Sequence, residues 1–295
     1  MRRILLFLGT NLAVLMVFGF VMNLLEPWLI ANGINVNQAG WLVFAALFGM
    51  GGALVSLLMS KRIALMSTKA EIIKNPSNQV ERWLVTTVER QAREAGIGMP
   101  DVAIFPSPQP NAFATGASRN NSLVAVSAGL LQHMKPNEVE AVLAHEVAHV
   151  ANGDMITMTL LQGVLNTFVL FLSRMIGQVI DRAVFRSNSG YGPGYFITVM
   201  VLQLVLGILA SFIVMAFSRW REFRADAGGA KLAGRSNMIA ALERLKQGHG
   251  ARDAQLPEAV EAFGIKGRAG EGIKRLLMSH PPLDERIAAL RNSAV

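Results

Sequence analysis

The chain has 295 residues, of which 52% are hydrophobic and only 16% charged, a balance too apolar for an ordinary soluble domain of this length. Most of its net charge of +8 lies in the carboxy-terminal part, since residues 61–155 carry nine basic and nine acidic side chains and residues 218–295 carry fourteen and nine. Cysteine is absent, which excludes disulfides and thiolate metal sites and leaves histidine and carboxylate as metal ligands.

In chain order, Ile4 to Leu25 and Trp41 to Met59 are charge-free apolar runs, each long enough for a bilayer core that needs about 20 helical residues. Arg2 and Arg3 imitate a secretory signal, but the core is long and no small-residue cleavage pattern precedes Glu26-Pro27, so the run reads as an uncleaved anchor. Arginines before the first run and Lys61, Arg62, Lys69 and Lys74 after the second place both ends of this hairpin on the cytoplasmic side.

A soluble stretch follows. Gln79 to Ala95 reads as an amphipathic helix closed by Gly96. Val102 to Phe105 and Leu123 to Val126 are short, β-branched and apolar, predicting a small sheet, and the turn-rich 106–110 leads into Asn111-Ala112-Phe113-Ala114. Pro136 and Glu138 then start a helix with Val139, Val142, Leu143, Val147 and Val150 at helical spacing.

That helix carries His145-Glu146-Val147-Ala148-His149. Residues four apart share a helix face, so His145 and His149 can offer two nitrogens to one zinc ion, and Glu146 can take a proton from a metal-activated water. The bland alternative is a surface helix with two solvated histidines.

Ile156 to Ile180 is apolar but interrupted by Thr157, Thr159, Gln162, Asn166, Ser173, Arg174 and Gln178, which predicts a span with a polar inward side; Tyr195 to Phe217 is charge-free. Arg182 and Arg186 lie between them, against the positive-inside tendency, so two full crossings and a shallow hairpin are both open. Arg219, Arg221 and Arg224 adjoin the last run, where anchoring to anionic lipid accounts for them better than nucleic-acid binding. Helices are expected over 218–233, over 237–247 and from about Leu283, after His280-Pro281-Pro282.

A catalytic zinc needs a third protein ligand. His133, His249 and His280 are available, and Glu222 shares a helix face with Asp226, so Glu222 can ligate while Asp226 accepts the free N–H of a ligating histidine. Spacing alone does not reject a solvated acidic face balancing the three arginines.

The zinc motif, followed after two hydrophobic runs by Arg221-Glu222-Phe223-Arg224-Ala225-Asp226, resembles the HtpX family of membrane zinc peptidases, and more distantly the type I CAAX prenyl proteases. The resemblance covers almost the whole chain. It implies an α-rich integral membrane protein: four transmembrane helices and a cytoplasmic α+β zincin-type metallopeptidase domain with a small β-sheet. The implied parts are a membrane hairpin (1–60), a catalytic part (61–155), a second membrane pair (156–217) and a second catalytic part (218–295). It further implies one zinc held by His145, His149 and Glu222, Glu146 as general base, and His280 as a donor to the oxyanion. Arg286 is a weaker candidate for that role or for orienting a carboxylate, and residues 111–114 resemble the edge that receives an extended substrate. Ala148 stands where members of the family often have serine, a position that is not a ligand.

The expected activity is zinc-dependent endoproteolysis of membrane or misfolded proteins at the cytoplasmic face of a bacterial inner membrane, in quality control under stress. Processing of one defined membrane or lipidated peptide, or a non-catalytic zinc-binding scaffold, are the alternatives.

Overall fold

The computed structural model of the protein describes residues 31, 38–187, 191–249 and 280–293. In chain order its elements are α1 (Gln38–Thr68), β1 (Glu71–Ile72), α2 (Gln79–Glu94), β2 (Asp101–Phe105), β3 (Ala112–Ser118), β4 (Asn121–Ser127), α3 (Ala128–His133), α4 (Pro136–Asn152), α5 (Asp154–Ala183), α6 (Pro193–Ala233), α7 (Arg235–His249) and α8 (Leu283–Asn292). Contacts divide the chain into two compact units: the described residues up to Val55 with Thr159–Val214, and Ser56–Met158 with the described residues from Met215 onward.

Among the described residues three helices, within α1, α5 and α6, are long and apolar enough to cross a membrane. The expected run 4–25 lies outside the described residues. In the first unit α6 exposes Phe196, Met200, Leu204 and Ile208 along its length, a surface suited to lipid rather than water. Small residues let α1 approach α5: a Cβ on Gly49 would lie 2.2 Å from Thr167 Oγ1, and one on Gly163 would lie 3.1 Å from Ala53 Cβ. The polar side expected of α5 is realised in part, with Ser173 and Gln178 buried but Gln162 and Asn166 exposed. Asp181, fully buried, accepts from the backbone N–H groups of Gly192 (2.7 Å) and Tyr195 (3.0 Å). Its carboxylate thereby closes the turn and faces the positive end of α6.

The second unit is built on a mixed four-stranded sheet of order β1-β2-β4-β3. The two strands expected from their apolar runs are β2 and β4, which pair parallel; β1 and β3 flank them antiparallel, with Phe113 opposite Ala125. Strand alternation sends Val102, Val124 and Val126 to one face, where they pack with Leu84 and Val88 of α2 and Val139, Val142 and Leu143 of α4. Ala103, Phe105, Leu123 and Ala125 go to the other face, covered by Ala64 and Leu65 of α1 and by Phe113.

Local sequence fixes the helix ends. Asn78 caps α2 by accepting from the Glu81 N–H at 2.9 Å, and Gly96 turns the chain with φ +65. Pro136 opens α4, where its missing N–H is no loss, and Glu138 accepts from the Lys135 N–H at 2.8 Å. Gly153, in the left-handed conformation at φ +67, ends α4 one residue before α5 begins.

Candidate metal centre

Four turns of α4 bury its apolar face in the core and leave His145 and His149 one turn apart on another side, with ring centroids 4.6 Å apart and Nε2 atoms 3.1 Å apart. Glu222, on α6, completes the group: Oε1 lies 3.3 Å from His149 Nε2 and Oε2 lies 3.5 Å from His145 Nε2. Glu222 is fully buried, and both histidines are largely so.

The outer nitrogens are also occupied. His145 Nδ1 lies 3.0 Å from Asp226 Oδ1, and His149 Nδ1 lies 2.8 Å from Asp154 Oδ2. A carboxylate at each Nδ1 holds the proton there and leaves each Nε2 as a lone pair. Two imidazole lone pairs and two carboxylate oxygens then converge with no proton to share among neutral rings, and from outside the group His280 Nδ1 at 2.8 Å and an Arg286 nitrogen at 3.5 Å approach Glu222 Oε2. Such a set repels itself unless a cation lies between its members. The separations of 3.1, 3.3 and 3.5 Å match the roughly 3.3 Å edge of a tetrahedron whose bonds are about 2.0 to 2.1 Å. Among the described residues His145, His149 and Glu222 form a group able to hold a metal, and the donor set fits zinc.

Without a metal, the surroundings favour the protonated form of both rings. Burial opposes this for both, but is outweighed: hydrogen bonds to Asp226 and then Glu222 raise His145, and those to Asp154 and then Glu222 push His149 up to about 9.

The other residues singled out in the sequence fall around this centre. Glu146 is half-exposed and forms no hydrogen bond among the described residues, so its carboxylate is open to a water. His280 is largely exposed, with Nδ1 2.8 Å from Glu222 Oε2. Arg286 is buried and forks onto Asp226, Nε to Oδ2 at 2.7 Å and one terminal nitrogen to Oδ1 at 2.6 Å, while its other terminal nitrogen lies 3.5 Å from Glu222 Oε2. Burial works against its charge, and the Asp226 bonds more than restore it. Asn111 to Ala114 enter β3, an edge strand of the sheet. His133 is elsewhere, its Nδ1 2.7 Å from the Gly129 carbonyl. The side chain of His249 lies outside the described residues.

Asp154 is the residue sequence reading passed over. The signal available was the glycine stop at Gly153 followed at once by a carboxylate, five residues beyond the second motif histidine.

Comparison with known proteins gives the family. The description "Peptidase family M48" matches residues 78–294, a stretch that contains every residue of the centre. The chain belongs to peptidase family M48. Protease HtpX of Thioalkalivibrio sulfidiphilus is 57% identical over 99% of both chains, and the Protease HtpX homolog of Thiobacillus denitrificans is 59% identical over 99% of both. Protease HtpX of Xanthomonas campestris pv. campestris is 60% identical over 99% of this chain and 98% of its own. The crystal structure of S. mikatae Ste24p shares the fold, with a TM-score of 0.59 at 20% identity, covering 93% of this chain and 62% of that one. This M48 protein is a membrane-associated metalloprotease, and its substrates are polypeptides.

Proposed function

We propose that the protein is a zinc endopeptidase of the bacterial inner membrane that cleaves membrane or misfolded proteins from the cytoplasmic side. Residues 1–60 and 156–217 serve as two membrane hairpins, giving four spans, and residues 61–155 and 218–295 together form the catalytic part. The charge bias around the first hairpin supports this sidedness. The observation that carries the proposal is the convergence of His145 Nε2, His149 Nε2 and the Glu222 carboxylate within 3.5 Å of one another.

His145, His149 and Glu222 hold the zinc, with Asp226 and Asp154 fixing the two imidazoles and Arg286 fixing Asp226. Zinc, when bound, supplies Lewis-acid polarisation of the scissile carbonyl and makes a water acidic enough to lose a proton near neutral pH. Glu146 takes that proton as the water oxygen bonds to the carbonyl carbon, and returns it to the amide nitrogen as the C–N bond breaks. His280 donates toward the negative charge that gathers on the carbonyl oxygen. The free backbone edge of β3 receives the substrate as an added strand, which fixes its direction past Glu146 and needs no particular side chain.

Zinc quantification and casein cleavage by the detergent-purified protein, beside its Glu146→Gln variant, test metal and chemistry together. About one zinc per chain, with cleavage lost only in the variant, is the expected result. A zinc-free parent, or cleavage by both proteins alike, overturns the proposal.

A further inference from the structure

Glu222 and Asp226 reach the motif histidines because α6 comes close to α4, and two adjacent glycines lie where the two helices touch. A Cβ on Gly228 would lie 2.7 Å from Ala148 Cβ, whereas carbon atoms rest at about 3.5 to 4.0 Å. A Cβ on Gly229 would lie 3.1 Å from the backbone nitrogen of His145, 3.3 Å from its Cα and 3.2 Å from Met238 Sδ. Neither glycine is needed for backbone conformation, since both lie inside α6 and neither has a positive φ. In a helix interior glycine is the poorer helix former, so local propensity favours alanine at both positions. What an alanine would meet at 228 is a Cβ, which cannot swing aside.

We propose that Gly228 and Gly229 are positioning residues for the metal centre: lacking side chains, they let the segment bearing Glu222 and Asp226 close onto the helix bearing His145 and His149. The spacing supports this. Glu222, Asp226 and Gly229 fall at i, i+4 and i+7, one face of α6, so the surface that presents the carboxylates also rests on the His145 backbone. Adding one methyl at 228 requires a separation increase of about 1 Å, beyond the roughly 0.5 Å within which a metal constellation holds its geometry.

The inference rests on His145, His149 and Glu222 being the zinc ligands, and the experiment separates the two ideas. Zinc affinity of the purified full-length protein is measured by chelator competition, and the site geometry by the visible absorption of the cobalt-substituted form, for the parent, Glu222→Ala, Gly228→Ala, Ala148→Gly and the Ala148→Gly/Gly228→Ala double variant. Gly207→Ala, in the same helix with nothing within 4 Å of its Cβ, controls for helix propensity. Gly228→Ala is expected to bind zinc about 10 to 100-fold more weakly and to alter the cobalt spectrum. The double variant, which replaces one methyl by the other, is expected to return to within about threefold of Ala148→Gly and to recover its spectrum. Parental affinity and spectrum in Gly228→Ala overturn the inference, as does a double variant no better than Gly228→Ala. If Gly228→Ala does not fold, the double variant decides alone by the same threefold criterion. Unchanged zinc binding in Glu222→Ala would instead overturn the ligand assignment itself.

Discussion

His149 Nδ1 and Asp154 Oδ2 lie 2.8 Å apart, and the residues join the end of one helix to the start of the next through the left-handed Gly153. The same relation recurs at His145, whose Nδ1 faces Asp226 at 3.0 Å, so each candidate histidine ligand has its own buried carboxylate. Asp154→Ala should therefore weaken zinc binding by about 10 to 100-fold, since the imidazole loses both its fixed tautomer and its orientation. Chelator competition measures this, and an unchanged zinc affinity would remove Asp154 from the centre.

How much of this was legible in the sequence depended on how local the determining signal is. The motif helix could be read because Pro136, Glu138 and its apolar stripe act within a few residues of one another, and α2 for the same reason from its amphipathic pattern and Gly96. The two inner strands were legible from their apolar runs, but their parallel pairing and the two-residue β1 depend on contacts distant in the chain. Glu222 and Asp226 could be placed on one helix face, yet nothing in their spacing could show that the face meets His145. That meeting depends on the absence of side chains at Gly228 and Gly229. Asp154 was hidden differently, because the direction of its side chain follows from the φ of +67 at Gly153.

Glu146 is the half-exposed member of the motif, between two buried histidines that occupy one another and Glu222. Glu146→Gln should keep zinc at the parental level and lose about 10² to 10⁴-fold in casein turnover, because the amide keeps the shape but cannot take the proton. Turnover within threefold of the parent would exclude Glu146 as the base.

The metal-free centre should respond to pH in a defined direction. His149 has a folded-state value of about 9, above the ordinary 6.5, and His145 is raised as well. The stabilisation from the protonated His149 ring, on the order of 3 kcal/mol, is fully present below about pH 6.5 and is lost as pH rises through about 9; that from His145 has the same sign. Chelator-treated protein should melt at a higher temperature at pH 6.5 than at pH 9, and Asp154→Ala should show a flatter dependence. Zinc needs both rings deprotonated at Nε2, so its addition near pH 7.5 should release about one proton or more per zinc. No release, in a weakly buffered solution carrying an indicator dye, contradicts the assigned environment.

Sidedness follows from the proposed even number of crossings between the two catalytic parts. The chain has no cysteine, so single cysteines at the exposed Asn75 and Ser236, and at Asn35, can be labelled cleanly. In intact cells an impermeant thiol reagent should spare positions 75 and 236 and modify position 35. Different labelling at 75 and 236 would put His145 and Glu222 on opposite sides of the membrane and exclude a shared metal.

The edge strand offers the sharpest test of how substrate is received. Asn111 directs its carbonyl to the Ser127 N–H at 2.9 Å and its own N–H to Ser127 Oγ at 2.9 Å, so it faces β4. In an antiparallel pair the backbone groups alternate, which turns Phe113 and Thr115 toward β4 and leaves Ala112 and Ala114 facing away from it. Ala114→Pro therefore removes an outward N–H without cutting the ladder, a change that edge strands tolerate. One backbone hydrogen bond contributes about 0.5 to 1.5 kcal/mol, so kcat/KM for casein-derived peptides should fall roughly 2 to 10-fold, with zinc content and melting temperature near the parent's. Phe113→Pro breaks the pairing with β4 and should lower the melting temperature as well. Unchanged kcat/KM in Ala114→Pro would mean that the substrate does not add to β3.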